Sequence, residues 1–502
     1  MLSVSNIPAL LSLILGLLSL RFLYQRITNP LAHIPGPEIS KWTDLVYKYY
    51  WFSGKIPYYV HSLHEKYGKD INITNKSEYS ADVPQGPIVR TSTTQVDICD
   101  KEVAREIHKT NSRYMKSNFY NVLVAKNFQN LFSTTDPKFH FNRRRLLATP
   151  ISDSSLSKHE PLISSRINLA IEKIAQEMDN RGVADVFKWW LFMATDVIGE
   201  LTFGESFQML ESGEKNQYTK DLESLSSLQP IRTTFPNMVD LARRLPLPVF
   251  NRAGAVANRM SQYALQSLQR YTKHLENEPG TAKQTLFTKI FDEKNGLSLR
   301  EILYEAQGYI VAGSDTTAVT LTYLVYSVCS DARVREELAA ELASLPEPIS
   351  DKDLRNLPYL NQVISETLRL YTAVPFGLPR SVPVGGVTLK GMYIAGETTV
   401  STQSYSLHRD PGIFADPDKF YPERWEDPSR DMKDASIPFG GGSRICIGIH
   451  LARIELRLAT ALFFRRFPQA KVSSSEGMSS DDMVMKAFFL MAPQGHRCLV
   501  EA

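Results

Sequence analysis

One cysteine constrains this chain more than any other residue. Cys446 stands in the run Phe439-Gly440-Gly441-Gly442-Ser443-Arg444-Ile445-Cys446-Ile447-Gly448, and Ile447 to Leu456 beyond it are predominantly helix-compatible. Gly440, Gly441, Gly442 and Gly448 let backbone approach a flat partner with no Cβ in the way. The sulfur falls near a helix N-terminus and its partial positive charge. A thiolate inside an apolar core needs support, and three sources can supply it: a metal, backbone N–H donors and a helix start. Arg444, with its planar fork of donors, suits a carboxylate on whatever the loop holds. A lone cysteine is ordinarily a small buried hydrophobe in such a turn. The offsets of Phe, Gly, Arg, Cys and Gly favour a loop that presents a ligand.

Other segments carry polar residues in apolar surroundings. Leu360 to Leu370 is helical by periodicity, with Glu366 and Arg369 three apart on one face. A pair at that spacing is ordinarily a weak surface pair. Glu301 to Thr317 reads as a long apolar helix interrupted by Gly313, Ser314, Asp315, Thr316 and Thr317, poor residues for a helix centre. The same string also suits a helix end capped by Asp and Thr. Cations stand at His140, Arg143, Arg144, Arg145 and Arg380. Three arginines in a row are ordinarily a solvated face or a docking patch.

Taken together these motifs resemble the cytochrome P450 family, in which a cysteine thiolate holds haem iron. The resemblance covers essentially everything after the amino-terminal segment. It implies a mainly α fold with a small β part, and haem b sandwiched between the helix carrying Thr316 and the loop carrying Cys446. By that resemblance Cys446 is the axial ligand, and Phe439 and Arg444 belong to the cofactor-binding loop. Arg444, Arg380, His140 and Arg144 would meet the haem propionates. His140 stands where many relatives have tryptophan, and an imidazole can still donate to a carboxylate. Glu366 and Arg369 match the family's Glu-x-x-Arg pair, and Arg424, in Phe420-Tyr421-Pro422-Glu423-Arg424-Trp425, completes a buried triad. Thr316 and Asp315 match the catalytic pair of the distal helix, where the helix opens locally for dioxygen. They would deliver protons, since O–O cleavage requires two and an apolar pocket holds none. Arg143 and Arg145 are expected to help dock an electron donor.

A chain of 502 residues admits two or three domains by length, yet motifs spread from Arg144 to Cys446 converge on one cofactor and argue for one catalytic domain, 41–502. Net charge of +3 is too slight for nucleic-acid binding, and none is expected. Four dispersed cysteines without Cys-x-x-Cys spacing suggest neither a zinc site nor a disulfide framework. Ile7 to Leu20 is almost wholly apolar and is followed by Arg21 and Arg26. Residues 1–26 therefore read as a single transmembrane signal anchor with its carboxyl-terminal side cytosolic. Residues 27–40, with Ile34-Pro35-Gly36-Pro37, resemble the proline-rich hinge of microsomal members, which implies the cytosolic face of the endoplasmic reticulum. Residues 69–86 form an atypical insertion, either a surface loop or translated intron.

Apolar runs at helical spacing dominate from Val96 to Ala343, with strand-like pieces at Ile88 to Arg90, Val384 to Thr399 and Met483 to Leu499. The resemblance implies a haem-thiolate monooxygenase fed by NADPH through cytochrome P450 reductase, with cytochrome b5 as a further partner. It would insert one oxygen from O2 into an apolar small molecule by hydroxylation or epoxidation. Phe119, Tyr120, Phe376, Phe488 and Phe489 are expected to line the pocket. Softer likenesses, such as Asn29 to Pro37, suggest a fungal enzyme tailoring a polyketide, terpenoid or alkaloid. The alternatives are a detoxifying monooxygenase, an isomerase or dehydratase that uses no external O2, and a haem sensor or carrier.

Overall fold

The computed structural model describes residues 29–68, 87–124, 128–241, 248–277, 285–288 and 297–502, with scattered positions between 12 and 28. The insertion 69–86 and most of the segment read as an anchor lie outside the described residues. Among the described residues no helix is long and apolar enough to cross a membrane.

Five helices position the site: α1 (Pro137–Ala148), α2 (Val186–Phe203), α3 (Leu299–Ser330), α4 (Pro358–Leu370) and α5 (Ile449–Arg466). α2 is mostly apolar and buried at every residue but Lys188, as a helix inside a large core must be. It packs along α3, and Gly313 shows how closely: a Cβ there would lie 2.8 Å from Ile198 Cγ1. Glycine at a helix centre costs roughly 0.5–1 kcal/mol relative to alanine, so this contact explains the residue. α3 begins in a capping box, with Ser298 Oγ accepting from Glu301 N–H and the Glu301 carboxylate accepting from Ser298 N–H at 2.9 Å. It then runs through the polar string without interruption, so that string lies mid-helix and marks neither a terminus nor a break.

The β part is small. Its main sheet contains β1 (Ile88–Arg90), β2 (Gln95–Ile98), β3 (Met115–Lys116), β4 (Arg380–Ser381) and β5 (Thr399–Ser401), in the order β1-β2-β5-β4-β3. β2 and β5 are parallel and the other pairs antiparallel. A hairpin of β6 (Met485–Phe488) and β7 (Leu490–Pro493) turns at Phe489, whose φ of +90° is left-handed. Val96, expected to open the helical stretch, lies in β2, because a run this short takes its conformation from partners on both sides. The proline-rich segment is packed onto this sheet: Leu31 and Ile34 are fully buried in its core, and Arg90 donates to the carbonyls of Gly36 and Pro37.

On the other side of the core, Glu366 is fully buried and accepts five hydrogen bonds. Arg369 donates Nε and Nη2, each at 2.8 Å, Arg424 donates Nε at 2.9 Å, and Tyr421 N–H and Trp425 Nε1 complete the set at 2.9 Å. Arg369 spends its remaining donors on the carbonyls of His408, Pro417 and Lys419. Removing one partner from a buried ionic cluster leaves the others unpaired. Glu366→Gln should therefore lower stability by about 3–5 kcal/mol in urea denaturation; a loss below about 1 kcal/mol would mean that the cluster does not hold this region.

Candidate functional site

The cysteine loop is anchored at both ends by backbone. Cys446 N–H donates to the Phe439 carbonyl at 2.9 Å and Gly440 N–H to that of Ile437 at 2.9 Å. Gly442 has φ +58°, and a Cβ there would overlap the His108 carbonyl, so that turn requires glycine. Gly448 is the N-cap of α5, and a Cβ on it would lie 3.9 Å from Cys446 Sγ. Burial pushes the Cys446 thiol up, against the Gly448 N–H and the charge of Arg144. The same residue is exposed by area. Both hold because protein surrounds the thiol while one side faces open space. Ala312, midway along α3 and far from its exposed ends, is exposed as well, with Val311, Gly313, Asp315 and Thr316 half-buried around it.

Cations gather beside this loop. Arg144 donates to the Ile445 carbonyl at 2.8 Å, Arg444 to that of Thr134 at 3.1 Å, and Arg380 to that of Pro379 at 3.2 Å and to the Tyr120 hydroxyl at 3.3 Å. Lys116 joins them, donating to the Phe132 carbonyl. All these acceptors are neutral. Burial and then Arg380 bring Arg444 down to about 10. Burial, then Arg444 and Arg144, bring His140 down to about 3, which leaves a neutral imidazole. Asp136 lies close enough to Arg444 to raise it, but its carboxylate caps α1 at Lys138 N–H. Crowded cations without anionic partners among the described residues, a thiol open on one side and glycine backbone beside it fit a flat, carboxylate-bearing metal cofactor. Phe439 is half-buried at the loop's entry.

On α3, Thr316 Oγ1 donates to the Ala312 carbonyl at 2.7 Å, and burial, then Tyr263 and Asp315, push the Tyr218 phenol up. Arg143 corrects an expectation: it is buried, bonded to Glu301 at 2.6 Å and 3.5 Å from Glu305, so it ties α1 to α3 and cannot dock a partner. Arg145 is exposed.

Three residues outside the sequence reading belong to the site's frame. Lys116 reaches it through a two-residue strand that leaves no periodic signal. His408 Nδ1 donates to the Arg369 carbonyl and Nε2 accepts from Ile437 N–H, each at 2.9 Å, which links the Glu366 cluster to the cysteine loop. Glu455 is buried in α5 and accepts from Thr317 Oγ1 at 2.9 Å, beside Thr316. An acidic residue on the apolar stripe of Leu451, Ile454 and Leu458 was the available signal.

Aromatic rings continue from the cations. Lys116 lies 3.9 Å from the Tyr120 ring centroid and 4.4 Å from that of Phe132. Phe132 meets Phe489 at 5.6 Å, and Phe119 stacks on Phe376 at 5.6 Å. Phe488 points elsewhere, against Gly54, as strand alternation requires.

A family model of cytochrome P450 matches residues 54–499. The chain is 49% identical to the cytochrome P450 monooxygenase tazI of Aspergillus terreus, over 99% of both chains. It is 46% identical to the cytochrome P450 monooxygenase orf2 of Aspergillus niger, over 97% of this chain and 96% of the other. It is 36% identical to the cytochrome P450 monooxygenase stcB of Emericella nidulans, over 94% and 88%.

Burial raises Glu455 to about 8, so the folded protein holds this carboxyl protonated at neutral pH. The unfolded chain releases that proton near pH 4.3, and stability is lost as pH rises from there toward 8. Glu455→Gln keeps the acceptor for Thr317 and removes the titration. It should gain on wild type as pH rises from 5 to 8, by about 2.5 kcal/mol between pH 5 and 7; parallel stability curves would refute a neutral Glu455.

Proposed function

Because the chain belongs to the cytochrome P450 family and is a haem-thiolate monooxygenase acting with O2 and a redox partner on a small molecule, we propose that it tailors a secondary metabolite. The reaction inserts one oxygen atom into an apolar compound by hydroxylation or epoxidation. The observation that carries this reading is the accessible Cys446 thiol, with Arg144 beside it and further cations near its loop whose partners are neutral.

Haem, when bound, supplies the oxygen chemistry, and a thiolate ligand favours O–O cleavage. Cys446 would hold the iron, with the Gly448 N–H and Arg144 supporting charge on sulfur. Arg444, Arg380, Arg144 and the neutral His140 would hold the propionates. Thr316 Oγ1 can turn from the Ala312 carbonyl to pass a proton toward the open side of α3, and Asp315 beside it replenishes that proton from outside. An isomerase that uses no external O2 has no task for this pair. The ring cluster of Phe119, Tyr120, Phe132, Phe376 and Phe489 excludes water and orients an apolar substrate.

Electrons would come from NADPH through cytochrome P450 reductase, with cytochrome b5 assisting, at a face that includes the exposed Arg145. The protein would sit on the cytosolic face of the endoplasmic reticulum, held by residues 1–26. Exposed apolar side chains support contact with that membrane: Leu45, Tyr49 and Phe52 on one helix, and Phe235, Met238 and Leu241 near them, with Phe52 and Phe235 rings 6.3 Å apart.

The reduced carbon monoxide difference spectrum tests the ligand: wild type should show a strongly red-shifted Soret band that Cys446→Ser abolishes. Persistence of that band in the variant would overturn the assignment. Thr316→Ala should keep consuming O2 with NADPH and reductase while product per O2 falls at least about tenfold; unchanged coupling would remove Thr316 from proton delivery.

A further inference from the structure

The main sheet ends in a pairing that sheet chemistry ordinarily avoids. β3 and β4 are antiparallel with Lys116 directly opposite Arg380. Opposed residues share one face with Cβ atoms about 5 Å apart, and like charges there repel. Among the described residues neither cation has an anionic partner: Lys116 donates to the Phe132 carbonyl, and Arg380 to the Pro379 carbonyl and the Tyr120 hydroxyl. Nor does the flexible lysine swing out to water. Its Nζ lies over the rings of Tyr120 and Phe132, and Arg380 lies 6.0 Å from that same Tyr120 ring. Burial, then Arg380 and Arg444, push Lys116 well below the ordinary lysine range, so three cations share one neighbourhood.

We propose that Lys116 and Arg380 clamp a single carboxylate between them, and that Lys116 is the cation completing the cradle begun by Arg380 and Arg444. The inference rests on the haem reading for one of the two sources of that carboxylate, a propionate. The other source is an acidic substrate, because the aromatic cluster begins at the same lysine. An ammonium is a compact point charge with three donors on a flexible stem, whereas the guanidinium of Arg380 is a planar fork. The two can therefore meet the two oxygens of a carboxylate from different directions.

The test uses the full-length haem-loaded protein as wild type, Lys116→Gln and Lys116→Arg, with two readouts: haem transfer to apomyoglobin, and spectral titration with 2-naphthoic acid against its methyl ester. If the clamp holds a propionate, Lys116→Gln should lose haem at least about fivefold faster, and Lys116→Arg should recover most of that loss. If it holds a substrate acid, haem transfer stays unchanged while the acid, and not the ester, binds at least about fivefold more weakly. No change in either readout would overturn the proposal. Should Lys116→Gln fail to accumulate, Lys116→Met keeps the alkyl stem over both rings and carries the same readouts. The wild-type carbon monoxide band stands apart from all of these, so failure of the clamp leaves the monooxygenase reading intact.

Discussion

The carboxylate of Glu366 is the fixed point of this structure. Without partners, a charge so deeply buried would be prohibitive, and its five donors come from four residues on two separate segments, the helix α4 and the turn 421–425. Satisfying that one group therefore decides where the turn lies. Arg369 extends the arrangement to the His408 carbonyl, and the His408 ring carries it to Ile437, two residues before Phe439. Burial brings His408 down to about 3, so it remains the neutral imidazole that can donate through one nitrogen and accept through the other. A continuous set of hydrogen bonds thus runs from an ion cluster to the backbone that positions Cys446.

Two treatments of buried charge stand side by side here. Around Glu366 each cation has a carboxylate or a set of carbonyls directed at it, and the result is structural. Around the cysteine loop, Lys116, Arg144, Arg380 and Arg444 have only neutral acceptors among the described residues, and burial followed by neighbouring cations lowers Lys116 and Arg444. A protein that leaves cations in this condition breaks a general rule of its own interior, and such breaks concentrate at functional sites. The distinction separates two groups of arginines that look alike in the sequence.

Much of the site was legible because it is local. The glycines, Arg444 and Cys446 lie within one loop, and Glu366 and Arg369 within one helical turn, so spacing alone brings them together. The string from Gly313 to Thr317 was ambiguous between a helix end and a helix centre; packing against Ile198 resolves it, and that contact is remote in sequence. Arg143 was misread for the same reason, since Glu301 and Glu305 come from a helix more than a hundred positions later. Lys116 and His408 carry no local pattern, and Glu455 shows only as an acid on an apolar stripe; all three acquire meaning from partners across the fold. Ile88 to Arg90 was legible as a strand, whereas the two-residue strands β3 and β4 escaped, because two residues hold no period.

The turn at Phe489 bears on how such an enzyme diverges. A phenylalanine with φ near +90° pays roughly 1–3 kcal/mol for a conformation that glycine adopts without penalty. Its ring is nearly buried among Phe119, Phe132 and Phe376. Replacing that one residue by glycine would relax the backbone and enlarge the chamber at once, with the flanking strands left in register. A lineage can therefore move to a bulkier compound by a single codon change that meets little resistance from folding, and close relatives need not share a substrate.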